Sequence, residues 1–260
     1  MTGMSVYEHF RPEERPLVDH FLDWKEQVSR RYTQKLTDFL DPREQEVLRV
    51  LIGNSDEVRL AFSGGFAQSE RKRALILPPY NPAEESDFEL SFIEVDYPSK
   101  FTTLSHPELL GALTGTGIVR GKLGDLLFSA GRIQFVAAKE IESYLLMNVT
   151  SVGRTPVTCR TIERQSLIHK EENWQEREGT ISSLRLDTVL AEMYHLSRTK
   201  VSESINQGHA KVNWRVIEKK DFEVRPGDVL SLRGYGRSKI ISVNGFTKKN
   251  KIRLRYGKLE

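Results

Sequence analysis

Among 260 residues there is a single cysteine, Cys159. One thiol excludes an intrachain disulfide and a thiolate metal cluster. Long apolar runs are missing as well. Stretches such as Asp125–Ala130 stop at strand length, short of the roughly 18–20 residues a membrane span needs. The opening residues Met1–Ser5 lead straight into Glu8, His9, Arg11, Glu13 and Glu14, without the apolar stretch of a signal peptide. These absences predict a cytoplasmic protein with no membrane partner. His9, His20, His106, His169, His195 and His209 show no His-x-x-x-His pair, so no metal site is expected. Cys159 lies in a strand-like run, Val157-Thr158-Cys159-Arg160, and reads as a packed thiol rather than a nucleophile.

Nucleotide loops are lacking too. The glycine-rich stretch Gly111–Asp125 fails as a P-loop: three residues separate Gly117 from Gly121 where four are needed, and Leu123 stands where Ser or Thr would bind magnesium. As a dinucleotide fingerprint it has Arg120 in place of the third glycine. No cofactor is expected.

What the chain does have is an uneven charge. Ser182–Glu260 carries 17 Lys and Arg against 8 Asp and Glu, or +9, whereas the preceding residues carry 22 against 28, or −6. Two readings compete, a polyanion-binding terminal module and a solvated basic face.

Residues 5–53 read as helical: Leu17, Val18, Phe21, Leu22 and Val28 recur at helical spacing, as do Tyr32, Leu36, Phe39 and Leu40. Asp41-Pro42 restarts the pattern as a cap and first turn, and Gly53-Asn54 ends it. From Ala74 the pattern is mixed. Strands are expected at Ala74–Leu77, Leu90–Val95, Asp125–Ala130, Ile133–Val136 and Val157–Ile162, with helices at His106–Leu113 and Lys139–Asn148. That order fits a small sheet with helices on one face. The polar stretch Glu163–Gly179 reads as a strand extension or a linker. The terminal segment begins with two short helices, the second capped by Ser197 over Arg198–Gln207, and Gly208 sits at a left-handed position. Strands follow at Ala210–Asn213, Phe222–Val224 and Val229–Leu232, with Pro226-Gly227-Asp228 as a turn. The fold class is therefore α+β, with a helical region over 1–73, an α/β domain over 74–179 and a terminal module over 180–260.

Arg185-Leu186-Asp187, Leu190, Ser197-Arg198, Gly208-His209-Ala210-Lys211-Val212-Asn213 and Pro226-Gly227-Asp228 together resemble the S-four RNA-binding domain. That resemblance covers about Ser182–Val243 and implies two helices on a small sheet that grip structured RNA. Cations at helix ends beside exposed backbone donors suit phosphate, so Arg185, Ser197, Arg198, Lys200, His209 and Lys211 are candidate RNA contacts. For His209, turn packing is the other reading. Asp187 reads as an internal salt bridge or cap. Arg233, Tyr235, Arg237 and Lys239, in Arg233-Gly234-Tyr235-Gly236-Arg237-Ser238-Lys239, add guanidinium and ring groups that glycines leave approachable. The alternation Lys251-Ile252-Arg253-Leu254-Arg255-Tyr256 suggests a strand with one basic face.

A second resemblance spans nearly the whole chain. Leu110-Gly111-Ala112-Leu113, Gly117-Ile118, Arg120, Gly124-Asp125, Phe39-Leu40-Asp41-Pro42-Arg43, Gly64-Gly65-Phe66 and Glu70-Arg71 look like the YlmH-type family of bacterial proteins with a C-terminal S-four module. It implies a middle domain of RNA-recognition fold, in which Arg120, Lys122 and Arg132 are RNA candidates by charge. The two resemblances imply a monomeric, non-enzymatic factor. The partners they imply are structured RNA (ribosomal RNA, tRNA) and the large ribosomal subunit, in translation or ribosome quality control. Two other classes remain. An RNA-modifying enzyme of pseudouridine-synthase type would need a catalytic Asp motif, but the only Arg-Leu-Asp lies inside the module. A cell-division adaptor is suggested by family gene neighbourhood, and no residue indicates it.

Overall fold

The computed structural model describes Phe10 and residues 12–53, 55–129, 131–168 and 174–259. It divides into two compact units, Met1–Lys170 and Glu171–Glu260, and is α+β throughout. No helix among the described residues is long and apolar enough to cross a membrane.

The first unit opens with α1 (Arg15–Arg31), which buries Val18, Phe21 and Val28 along one stripe. Tyr32 ends it in the left-handed region, φ 54°. The helical reading of 32–41 fails at this point. Lys35–Leu36 form a short strand β1 that pairs with Ile76 and Leu75. Neighbouring Phe39 and Leu40 enter two different cores, which is the alternation of extended chain rather than one helical face. Helix α2 (Pro42–Ile52) begins as expected, with Asp41 accepting from the Glu44 N–H at 2.9 Å and Glu44 accepting from the Asp41 N–H at 2.6 Å. This reciprocal cap satisfies two otherwise orphaned donors. Its C-cap Gly53 is right-handed, φ −43°, not the left-handed stop expected, and Asn54 lies outside the described residues. Strands β2 (Arg59–Ser63) and β3 (Arg73–Leu77) complete a sheet of order β1-β3-β2. Every residue of β3 is buried, so the boundary expected at 73/74 falls inside a core strand.

The rest of this unit runs β4 (Leu90–Asp96), α3 (His106–Gly115), β5 (Leu123–Ser129), β6 (Arg132–Ala138), α4 (Glu142–Asn148), a small hairpin β7 (Ser151–Val152) and β8 (Thr155–Pro156), and β9 (Thr158–Thr161). The four main strands form an antiparallel sheet of order β5-β6-β4-β9. One face carries Ile93, Val95, Ile133, Phe135, Ala137 and Cys159, packed with Leu109, Leu113 and Leu145 of the two helices. The opposite face is covered too. Phe39 and Phe66 pack with Val136, Leu90 and Phe92, and Leu167 and Ile168 pack with Leu127. Polar groups on that face are paired, since the Gln134 amide donates to the Ser166 carbonyl at 3.0 Å and accepts from the Ile168 N–H at 2.6 Å.

The second unit contains β10 (Trp174–Ile181), α5 (Leu186–Tyr194), α6 (Arg198–Asn206), β11 (Ala210–Val212), β12 (Arg215–Val216), β13 (Val229–Leu232), β14 (Gly236–Phe246) and β15 (Ile252–Leu259). They form one sheet of order β10-β15-β14-β13-β11-β12. Gly179, where the sequence placed a boundary, pairs with Leu254 in the middle of the β10–β15 ladder. All of 174–179 is thus strand, covering what would otherwise be an open edge of β15. Phe222–Val224 is not a strand. It makes a single bridge, Arg185 to Glu223, and its backbone instead ties down the start of α5, with Leu186 N–H to the Phe222 carbonyl at 2.8 Å and Val224 N–H to the Leu184 carbonyl at 2.9 Å. Leu186, Val189, Leu190 and Met193 of α5 and Val201 and Ile205 of α6 close over Leu230, Leu232, Ile240, Leu254 and Tyr256 of the sheet.

Candidate nucleic-acid interface

The sequence candidates of the second unit separate onto two sides of the sheet. Strand alternation decides the split: Ala210, Val212, Leu230, Leu232 and Ile240 point into the core under the helices, so their neighbours point away. Lys211 faces Ser231, Ser231 faces Arg237, and Lys239 faces Val229 across the ladders. Lys211, Arg237 and Lys239 therefore share the outer sheet face. Arg253 and Arg255 of β15 continue it, although Arg255 is paired with Glu176 of β10.

The helix side holds Arg185, Ser197, Arg198, Lys200 and Tyr235. Ser197 caps α6, accepting from the Lys200 N–H at 3.3 Å. Arg185 is the N-cap residue of α5, and its guanidinium reaches Asp187 at 3.1 Å. Arg198 reaches the other Asp187 oxygen at 2.7 Å. The Asp187 side chain is only 3% exposed against 56% for Arg198. Burial alone would raise the Asp187 carboxyl, but hydrogen bonds from Arg185 and Arg198 outweigh it and hold the group below its ordinary value. Asp187 thus clamps two guanidinium groups at the adjoining starts of α5 and α6, leaving their outer edges to solvent. The salt-bridge role read for Asp187 is what the structure shows, and Arg198 is a brace as well as a surface cation.

Tyr235 is less free than its glycine neighbours suggested. Gly234 and Gly236 take φ +84° and +89°, conformations only glycine adopts cheaply, and they fold the Tyr235 ring back onto the module. Its centroid lies 5.8 Å from that of Tyr194, and Lys200 Nζ sits 5.6 Å above it. Arg233 is exposed, and its N–H donates to the His209 carbonyl at 3.0 Å. His209 is half-buried and its backbone links α6 to this loop. Asn213, expected to end a strand, instead lies in the turn after β11, and its amide donates to Asp228 of the expected Pro226–Asp228 turn at 2.8 Å, tying the two loops together.

The first-unit candidates are engaged internally. Arg120 donates to the carbonyls of Leu123 and Gly124. Burial, with Arg71 nearby, holds its guanidinium down at about 10. Lys122 is paired with Asp38 at 2.5 Å and Glu140 at 2.9 Å. Arg132 is paired with buried Glu94 at 2.9 Å. Cys159 is buried, and that burial pushes its thiol up to about 11, away from nucleophilic use.

Three family models match in succession: "YlmH, N-terminal" over 13–81, "Putative RNA-binding domain in YlmH" over 82–166 and "S4 domain" over 184–230. A Bacillus subtilis (strain 168) protein named "Ribosome-associated protein quality control protein P2" is 43% identical over 252 residues, 97% of this chain and 98% of that one. The chain belongs to the YlmH family. A solved structure titled "Cell division protein ylmH from Streptococcus pneumoniae" is 32% identical, with a TM-score of 0.54 over 64% of this chain and all of that one.

The structure gives the YlmH middle-domain signature a physical meaning. Asp125 accepts from the N–H groups of Glu70 and Arg71 at 2.7 and 3.0 Å. Gly124 lets the Phe39 ring approach: a Cβ there would lie 2.8 Å from it. Gly124-Asp125 therefore locks the preceding segment onto the middle sheet. Base-stacking aromatics belong on the open sheet face of an RNA-recognition fold. In this YlmH-family chain that face is packed against Phe39, Phe66, Leu167 and Ile168 instead.

Proposed function

We propose that this YlmH-family protein is a non-enzymatic factor that binds ribosomal RNA and tRNA on the large ribosomal subunit, in translation or ribosome quality control. The observation that carries the reading is the helix side of the S4 module. There, one buried carboxylate orders Arg185 and Arg198 beside Lys200. Guanidinium groups already held in place lose little side-chain entropy when phosphate arrives, and each phosphate contact releases counterions. The printed name of the Bacillus subtilis relative supports the ribosomal setting. Arg120 and Lys122 play no part in this reading, because burial and internal bonds engage them, whereas Arg132, half exposed beside Glu94, stays a secondary candidate.

In-cell crosslinking of the full chain, followed by sequencing of the attached RNA, tests the proposal. Enrichment of large-subunit ribosomal RNA together with tRNA is expected. Loss of a modified ribosomal base on gene deletion, with the base restored by the purified protein, would instead establish an enzyme.

A further inference from the structure

Beyond residue 230 the S4 model no longer matches, yet the second unit continues into its longest hairpin. From Val229 to Leu259 there are nine Lys and Arg and no Asp or Glu. Strands β14 and β15 pair from Ser238–Lys258 out to Phe246–Ile252. The tip is closed by its own bonds: Thr247 N–H to the Lys251 carbonyl at 2.7 Å, Asn250 N–H to the Thr247 carbonyl at 2.9 Å, and Lys251 N–H to Thr247 Oγ1 at 3.1 Å. Lys248, Lys249, Lys251 and Arg253 are exposed around it. Among them Phe246 is 66% exposed.

A lone exposed apolar side chain is ordinary. What distinguishes Phe246 is its setting, an aromatic ring at the end of a pre-ordered prong whose own charged side chains are all cations. Beside the outer end of the prong is a cleft of about 370 Å³ lined by Glu178, Thr180, Asn244, Thr247 and Arg253. It offers both hydrogen-bond donors and acceptors to an incoming base edge. Rings flanked by cations that track a backbone are how single-stranded nucleic acid is gripped, and unpaired bases are where RNA offers a free π-face. An anionic partner is required by the charge, and a flat apolar surface on that partner by the ring.

We propose that the β14–β15 hairpin is a second RNA contact, in which Phe246 stacks on an unpaired base while Lys248, Lys249 and Lys251 meet the flanking phosphates. This rests on the RNA-binding reading above and adds to it a preference for an unpaired nucleotide.

The test uses the full chain, a short RNA stem with one bulged adenosine and the same stem fully paired. Phe246→Ala is expected to weaken binding to the bulged stem about tenfold and to leave the paired stem unchanged, with Phe246→Tyr retaining wild-type affinity. A 2-aminopurine in the bulge should be quenched by the wild type and not by Phe246→Ala. Equal affinity of wild type and Phe246→Ala for the bulged stem overturns the prong while leaving the RNA-binding reading intact. An equal loss on both stems also overturns it, since stacking on a free base is then not involved. If Phe246→Ala lost ribosome co-sedimentation with both RNA affinities unchanged, the ring would be a protein contact and the proposal would be wrong. Wild type binding neither stem, nor extracted ribosomal RNA, would instead remove the reading on which it rests.

Discussion

The Arg198 guanidinium lies 2.7 Å from the Asp187 carboxylate, joining the first turn of α6 to the first turn of α5. The same contact that joins the two helices also presents a cation to solvent, so under the proposed function stability and RNA affinity are coupled at this position.

Arg198→Glu should therefore lower both. We expect the melting temperature of the second unit to fall, because a buried carboxylate loses a donor and meets a like charge at a cost of about 1–3 kcal/mol. Lys200→Glu separates the two effects. Lys200 lies over the Tyr235 ring rather than on Asp187. Its reversal should reduce RNA affinity and the salt slope by about one contact while shifting stability by about 0.5 kcal/mol or less. Thermal melts and salt titrations of both variants check this.

Acid should destabilise the second unit through Asp187. Its folded value lies below the unfolded one, so the unfolded chain binds more protons in the interval between them, and stability rises with pH there. The stabilisation is complete above the unfolded value, about 3.9, and is lost as pH falls through the folded one. Asp187→Asn should flatten this part of the curve in urea titrations between about pH 2 and 5. A variant with the wild-type acid slope would assign the effect to other carboxylates.

Gly124→Ala should destabilise the first unit by about 1–3 kcal/mol. The new methyl would meet Phe39 at 2.8 Å and Val136 at 3.1 Å, both buried, so neither can swing into solvent. Chemical denaturation of the full chain, followed by a probe in the first unit, measures the cost.

Asn213→Ala should loosen the link between the β11–β12 turn and the Pro226–Asp228 turn. The Asn213 amide donates to Asp228 at 2.8 Å and accepts from the Val229 N–H at 2.9 Å, and its φ is +48°. Losing both bonds at a left-handed position should cost about 1–2 kcal/mol. Hydrogen exchange at Val229 should accelerate, and no change there would mean that the turns are held by other contacts.

Much of this was written locally. The Asp41 and Ser197 caps, the two helices of the S4 module, the left-handed Gly208 and the Pro226–Asp228 turn depend on neighbours within a few residues, and the spacing of their side chains exposes them in sequence. The extended course of 32–41 was not legible, because Tyr32, Leu36, Phe39 and Leu40 happen to satisfy a helical period. Only β3 and two separate cores show that the chain is stretched there. The β10 strand was hidden for a similar reason, since its polar residues read as linker until β15 supplied a partner.

Composition alone determined that the cations concentrate after residue 182. Tertiary structure decided which of them are available. Arg120, Lys122 and Arg132 look like the others in one dimension, but Arg120 turns back on carbonyls three and four residues along, and Lys122 and Arg132 meet carboxylates distant in sequence. Lys211, Arg237 and Lys239 belong to the opposite sheet face from Arg185 and Arg198, and register fixes that division. Phe246 became a candidate only once the hairpin placed it outside the core. Sequence sets the number and kind of charges, whereas pairing across long loops, which costs entropy and depends on the whole fold, sets which ones meet solvent.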